Sequence, residues 1–362
     1  MRQLLQNKLF RWFLGLRHLY RKGAKAKSIT VLIPAYNEEQ TIANTIVNLK
    51  NQTRLPDEII VVDDCSKDRT GQIAKSLGVK LIRLEKNSGS KSQAQNAALP
   101  YITTDITITV DADTILHPQA IEKVAKPLTE PKIASACGLV IPQRIKTLWE
   151  KGRFIEYLYG ISIMKGAQNN TGAILVSSGC FSAFKTKELQ KMGFKKRTMA
   201  EDMDLTWDFL IQGRKIAFVS DAICYPLDPP NYKVYKDQVD RWYRSFFQNV
   251  AVHRKNIFGC KRLTFFVGWY LLEGLISPLI WVVLLLFAFG GIRIASYLIL
   301  VNFLLVIITS LYYGIQLNKK LLVLKSLPCY FLVSLVNIFL FWRAFIREWI
   351  LRNRLKEWSK GH

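Results

Sequence analysis

Carboxylates in this chain gather where apolar runs end. Asp63 and Asp64 close one such run, and Asp111 and Asp113 follow another in the stretch Thr-Val-Asp-Ala-Asp. Two carboxylates at i and i+2 in a loop can turn toward one ion. Hard oxygen donors of this kind suit Mg2+ or Mn2+, the ions that bridge diphosphates. The same spacing also occurs in solvated turns, so it is the strand expected before it that gives it weight. A third acidic group, Glu201-Asp202-Met203-Asp204, precedes the helical pattern Leu205, Phe209 and Leu210. Acids there can cap the helix and favour its dipole. The chemical alternative is a general base that deprotonates a hydroxyl nucleophile. Gln238, Arg241 and Trp242 stand at i, i+3 and i+4, so they share one helix face. An arginine beside an indole suits neutralisation of a diphosphate leaving group while the ring packs on substrate. It equally suits an aromatic and basic anchor at a membrane surface.

Several other chemistries lack their residues. There is no GxxxxGK[ST] loop, no GxGxxG after the first strand and no HExxH, and the four histidines show no ligand spacing. This disfavours a nucleotide triphosphatase, a dehydrogenase and a zinc hydrolase. The six cysteines are scattered without a CxxC pair, which argues against a zinc cluster or a disulfide framework and fits a reducing compartment. Lys and Arg outnumber Asp and Glu by 51 to 27, a formal charge of +24. No nucleic-acid-binding signature accompanies this charge, so it is assigned to lipid headgroups and phosphates.

The elements that must position these residues are legible in outline. Strands are predicted at Ile29–Ile33, stopped by Pro34, and at Glu58–Val62, Val79–Leu84 and Ile106–Val110. Helices are predicted between them at Glu38–Leu49, Gly71–Leu77 and near Gln93–Ala98. Strands alternating with helices imply an α/β unit with a mostly parallel sheet, and ligands bind such sheets at the carboxyl ends of the strands. This unit is expected to span residues 28–256.

Both flanks point to a membrane. Residues 1–27 carry eight basic residues and no acid, with Leu5, Leu9, Trp12, Phe13, Leu16 and Tyr20 on one helical face. That pattern predicts an interfacial amphipathic helix on anionic lipid. Three apolar runs, Phe265–Phe289, Ile294–Leu317 and Leu321–Phe345, are each as long as the ~20 residues a helix needs to cross a bilayer. Glu273, the one acid among them, is expected to face protein or water. Three crossings would put the C-terminus opposite the catalytic unit. The basic residues after Phe345 favour the cytoplasmic side for the C-terminus, and Glu273, Gly274 and Pro278 can break the first run into an interfacial piece plus a short crossing, which leaves the count open. Two or three crossings are therefore expected within 257–350.

Taken in order, these segments resemble the family 2 glycosyltransferases, in particular the membrane-integrated processive polysaccharide synthases that make hyaluronan, chitin, cellulose and poly-N-acetylglucosamine. The elements are Ile-Pro-Ala-Tyr-Asn-Glu at 33–38, Val-Val-Asp-Asp-Cys-Ser at 61–66 and Asn87 through Asn96 with Lys91. Then come Asp111-Ala-Asp113, Ser178 through Phe184, Ala200-Glu-Asp202 and Gln238-x-x-Arg241-Trp242. The resemblance implies a GT-A (Rossmann-like) catalytic domain, a nucleotide-sugar donor and inversion by single displacement. By the same resemblance Ala35, Tyr36 and Glu38 line the nucleoside pocket, Asp64 faces the uracil and Lys91 lies near the diphosphate. Asp111 contacts the nucleoside diphosphate, Asp113 ligates Mg2+ or Mn2+, and Asp202 is the base. Gln238, Arg241 and Trp242 hold the diphosphate and the chain end.

Two departures stand out. Cys65 occupies a place where the family usually has glycine, which is expected to alter only the turn. No apolar span precedes the catalytic unit, and the basic N-terminal segment is expected to anchor in its stead, with a homo-oligomer or an export partner completing any channel. The expected activity is transfer from a UDP-sugar, best UDP-N-acetylglucosamine, to a growing β-linked polysaccharide. The catalytic domain is expected on the cytoplasmic side of the cell membrane, with membrane lipids as partner and no nucleic acid. The alternative is transfer of one sugar to a lipid acceptor such as a polyprenyl phosphate or glycolipid.

Overall fold

A computed structural model describes residues 27–290 and 292–355. The amphipathic segment expected at 1–27 and the end of the basic tail lie outside the described residues, apart from Lys27 and residues 351–355.

The first half is a run of strand–helix units. It comprises β1 (Ile29–Ala35), α1 (Ile42–Lys50), β2 (Glu58–Asp63), α2 (Thr70–Ser76), β3 (Lys80–Arg83), α3 (Lys91–Ala98) and β4 (Ile106–Val110). Every residue of β1 and β4 is buried, as expected for central parallel strands covered on both faces. Then follow β5 (Ile115–Leu116), α4 (Ala120–Ala125), β6 (Ile133–Val140), α5 (Leu148–Glu156), a π turn at Tyr157–Ile161, α6 (Ser162–Thr171) and β7 (Phe181–Lys185). The domain closes with α7 (Thr186–Met192), α8 (Glu201–Ile211), β8 (Lys215–Tyr225) and the long α9 (Tyr232–Ile257).

The eight strands form one sheet in the order β3-β2-β1-β4-β7-β6-β8-β5. The β3-β2-β1-β4 half is parallel throughout, β6 and β8 pair parallel, and β7 runs antiparallel to both its neighbours. The strand order reverses between β2-β1 and β4, which places a ligand crevice at the carboxyl ends of β1 and β4.

Pro34 does not stop β1. The strand runs on through Ala35, pairing there with β2 alone, because its rungs with β4 end at Leu32. A residue without an N–H is tolerated once the second ladder has ended. Gly138 sits at a register shift between β6 and β8, where any Cβ would meet the Ala222 carbonyl and the Phe181 ring.

After α9 come three apolar helices: α10 (Lys261–Phe289), α11 (Arg293–Gln316) and α12 (Lys320–Phe345), with a π turn at Ile346–Ile350. Two helices, Arg293–Gln316 and Lys320–Ile350, are long and apolar enough to cross a bilayer, with mean hydropathies of 2.4 and 1.8. The first of the three runs is bent by 46° about Pro278. Glu273 keeps part of its side chain exposed. It lies one turn beyond Trp269, near where α10 leaves the domain.

Candidate active site

Parallel and antiparallel pairing together assemble the site. β4 delivers Asp111 at its carboxyl end. Because β7 is antiparallel to β4, with Val110 opposite Phe181, the residues entering β7 return to that same edge. The Asp111 N–H donates to the Cys180 carbonyl at 3.3 Å, so Ser178-Gly179-Cys180 lie beside the Asp-Ala-Asp turn. Across them comes the first turn of α8. The Gly179 N–H donates to Asp202 Oδ2 at 2.8 Å, and the Lys91 ammonium donates to the Gly179 carbonyl at 3.1 Å. A Cβ on Gly179 would stand 3.0 Å from the Asp202 carboxylate and 3.2 Å from the lysine nitrogen, so a larger residue would crowd this convergence.

Lys91 is the hub. It forms a close ion pair with Asp111 and lies 3.9 Å from Glu201. Burial disfavours its charge, but Asp111, Glu201 and Asp202 outweigh that and hold its pKa above the ordinary lysine range. Burial raises the Glu201 carboxyl, against the pull of Lys91. Arg241 is pulled below the usual guanidinium range by burial, with Glu201, Asp202 and Asp111 acting the other way. Four charged groups from α3, β4 and α8, with a fifth from α9, thus share one electrostatic environment.

A cavity of about 640 Å³ contains them. Ala35, Tyr36, Glu38, Asp64, Lys91, Asp111, Asp113, Asp202, Gln238, Arg241 and Trp242 all line it. Residues singled out from 200 positions of sequence therefore face one space. Asp63 does not. It is fully buried on the other side of the turn, accepting from the Ser66 N–H at 2.8 Å and paired with Arg83. The side-chain period of a strand sends it and its neighbour to opposite faces. Asp64 reaches the cavity and accepts from the N–H and hydroxyl of Ser88 at 2.7 and 2.9 Å. Cys65 has φ +59°, in the left-handed region that favours glycine.

The acidic run on α8 divides in two. Ala200 is its N-cap, and no side chain caps the helix. Glu201 and Asp202 face the cavity. Asp204 points inward to Arg197 at 2.8 Å and His253 at 2.6 Å, a buried structural cluster. Burial alone would raise Asp204, yet the His253 and Arg197 hydrogen bonds hold it below its ordinary value.

One member of the site carries no sequence signal. Arg153, on α5, is 1 % exposed. Its guanidinium lies 4.7 Å from the ring centroids of both Tyr235 and Trp242. It donates to Glu156 Oε2 at 2.9 Å and Gln238 Oε1 at 3.4 Å, and lies 3.6 Å from Asp228. Tyr157 donates to Asp228 at 3.0 Å. Asp228 is pushed up to about 7 by burial, in spite of Arg153. Arg153 therefore fixes Gln238 and Trp242 from behind. Only the capping box Thr147–Glu150 marks the start of its helix in the sequence.

The carboxylates suit a divalent cation that arrives with phosphate. Asp111 and Asp113 offer hard oxygens. Among the described residues no cluster of three or more His, Cys, Asp or Glu side chains converges on a metal-sized site. Mg2+ is commonly held by one or two carboxylates with substrate phosphates completing its shell.

This geometry can be set beside known proteins. Residues 30–193 match the profile described as Glycosyl transferase family 2. Residues 30–193 form a family 2 glycosyltransferase domain. The chain is 26 % identical over 270 residues to a poly-beta-1,6-N-acetyl-D-glucosamine synthase of Staphylococcus aureus, covering 73 % of this chain and 65 % of that protein. It is 28 % identical over 227 residues to the synthase of the same name in Staphylococcus epidermidis, covering 60 % and 54 %. The matches thus span between about half and two thirds of the length of these relatives. In fold, the chain superposes on a mannosyltransferase from Pyrobaculum calidifontis, solved in complex with GDP-Man and Mn2+. The TM-score is 0.61 at 19 % identity, covering 90 % of this chain and 93 % of that one. The transferase domain therefore has the GT-A architecture, with apolar helices behind it.

Proposed function

We propose that the chain is a membrane-bound inverting hexosyltransferase that extends a β-linked polysaccharide from a UDP-sugar, with UDP-N-acetylglucosamine as donor. The observation that carries this reading is that Asp111 and Glu201 converge on Lys91, and Lys91 and Asp202 on Gly179, inside a cavity also lined by Gln238, Arg241 and Trp242. The staphylococcal synthases supply the sugar and the polymer.

The chemistry follows from these groups. An acceptor hydroxyl is a poor nucleophile until its proton leaves. Asp202 takes that proton, the hydroxyl oxygen bonds to the anomeric carbon, and the bond from that carbon to the diphosphate oxygen breaks, releasing UDP. Asp202 is held for this by the Gly179 N–H, and its second oxygen accepts from the Met203 N–H at 2.8 Å. Lys91 and Arg241 place positive charge where the diphosphate gains negative charge, which is worth most in a water-poor cavity. Mg2+ or Mn2+ held by Asp113 and the diphosphate, with Asp111 beside it, would supply further charge neutralisation. Trp242, braced by Arg153, offers a flat apolar face to a sugar ring.

A second reading has its own observation. The cavity continues past Tyr243 and Phe246 to Tyr270 on α10, the first apolar helix. An acceptor whose apolar part reaches the bilayer, such as a polyprenyl phosphate or glycolipid, would fit that end. The full chain in detergent, given radiolabelled UDP-N-acetylglucosamine with Mg2+ or Mn2+, separates the two on a gel. A ladder or high-mass smear supports polymer extension, and a single lipid-soluble spot supports the second reading. Absence of transfer and hydrolysis with every UDP-sugar tried would overturn both.

A further inference from the structure

The cations that line the cavity are Lys91, Arg153, Lys165 and Arg241. All but one of them meet carboxylates. Lys91 pairs with Asp111 and lies near Glu201, and Arg153 pairs with Glu156 and lies near Asp228. Arg241 faces the charges of Glu201, Asp202 and Asp111. Lys165, on α6, differs. It is 8 % exposed, yet among the described residues its ammonium forms no ion pair with a carboxylate. It donates to Ser178 Oγ at 2.6 Å and to Cys137 Sγ at 3.7 Å, and stands 5.9 Å from the centre of the Phe218 ring. A thiol is a weak acceptor and a ring has no lone pair to offer, so only one of three N–H donors is well used.

An ammonium buried without a counter-ion carries a desolvation cost that a neutral hydroxyl and thiol do not offset. An apolar side chain of similar length would fill the same space without that cost, so packing alone does not account for a lysine here. The position of the ammonium supplies the account. Its anchor, Ser178, directly precedes Gly179, whose N–H holds Asp202. The lysine therefore stands close behind the proposed base, on the cavity wall. Ile161, Val176, Phe246 and Tyr270 make other parts of that wall apolar. Lys91 and Arg241 serve the donor diphosphate in the reading above, which leaves Lys165 for the acceptor.

We propose that Lys165 is an anion subsite at the acceptor end of the cavity, and that the acceptor carries a phosphate or carboxylate beside the oxygen that receives the sugar. This rests on reading the cavity as a transferase site, and it narrows the acceptor to an acidic one. A neutral oligosaccharide leaves the ammonium unpaired. A lipid phosphate or an acidic sugar pairs it, sharing the lysine with Ser178 through a charge-assisted hydrogen bond.

The test is equilibrium binding to the full chain in detergent, read by calorimetry with UDP and Mg2+ present so that the donor side is occupied. One arm compares citronellyl phosphate with citronellol. The other compares a disaccharide of N-acetylglucosamine and glucuronic acid with its methyl ester. In one arm the anion is expected to bind about 10–100-fold more tightly than its neutral counterpart, the range of a hydrogen bond to a charged group. That arm identifies the source of the anion. Lys165→Met and Lys165→Gln are expected to remove the preference and Lys165→Arg to keep most of it, with UDP affinity unchanged in all three. Parent protein that shows no preference in either arm would overturn the inference, and this comparison needs no variant to fold. So would a preference that persists in Lys165→Met or Lys165→Gln. An equal loss of UDP affinity in those variants would assign Lys165 to the donor and likewise end the proposal. Binding needs no turnover. A protein that transfers no sugar but keeps a Lys165-dependent preference would retract the proposed activity and leave the subsite standing.

Discussion

The sides of the cavity that the proposed function assigns to donor and acceptor are built by different means. On the donor side Ala35, Asp64 and Asp111 stand at the ends of β1, β2 and β4, where parallel register alone brings them together. On the acceptor side Gln238, Arg241 and Trp242 lie on one helix. Their setting depends on a buried arginine from a helix about 85 residues earlier, and on α12, about a hundred residues later. The first side is set by strand ends that any similar sheet would align. The second is set by side-chain packing among α5, α9 and α12, so it is the side through which the membrane helices can influence the chemistry.

The sharpest probe of this contrast is Asp202, which touches both sides. Asp202→Asn is expected to lower transfer by about 10²–10⁴-fold, the usual worth of a positioned base, while UDP binding is kept. Transfer at the parent rate would show that the two sides do not meet at this carboxylate.

Next in size is Arg153→Met. It leaves buried Asp228 and half-buried Glu156 without this partner, which should cost about 3–5 kcal/mol of stability by thermal unfolding in detergent. In protein that remains folded, affinity for UDP should be unchanged and the KM for acceptor should rise. Equal losses on donor and acceptor would erase the distinction between the two sides.

The Asp204 cluster gives a pH handle outside the cavity. Its folded pKa lies below the ordinary carboxylate value. Its stabilising contribution is therefore complete above about pH 3.9 and is lost as pH falls through the lower folded value. Asp204→Asn should flatten that part of the acid unfolding profile. A steeper profile in the variant would contradict the assignment.

The smallest effect is expected at Cys65→Gly, which relieves a left-handed backbone but frees the unfolded chain. The net change should be within about 1 kcal/mol, with UDP affinity unaltered because the side chain does not line the cavity.

Much of the donor side was legible in the sequence. Apolar runs ending in acids mark strand ends, and Ile106–Val110 is found at its expected bounds. Helix starts were less secure: α1 begins at Ile42 rather than Glu38, after a turn in which Thr41 donates to the Glu38 carboxylate. The acidic run at 201–204 reads as one motif, yet its members part company: Asp202 and Asp204 stand two residues apart, roughly 200° around a helix of 3.6 residues per turn, and so point to nearly opposite faces. Arg153 and Asp228 have no motif at all, since what makes them matter is burial among rings distant in sequence. The apolar run 321–345 is long and apolar enough to cross a bilayer, as its composition suggests, but its packing along α9 has no trace in hydropathy.

The amino-acid order alone determined the α/β alternation, the carboxylates at the strand ends, the helix face of Gln238, Arg241 and Trp242 and the apolar C-terminal third. Those features rest on local rules: strand period, helix period and the length of an apolar run. Only the folded chain decided that Asp63 turns away while Asp64 turns in, that Lys91 binds Asp111 beside Gly179, that Arg153 braces Trp242, and that α12 runs beside α9. Each of these depends on which surfaces meet across long stretches of chain, and close packing between distant segments leaves no periodic trace in the sequence.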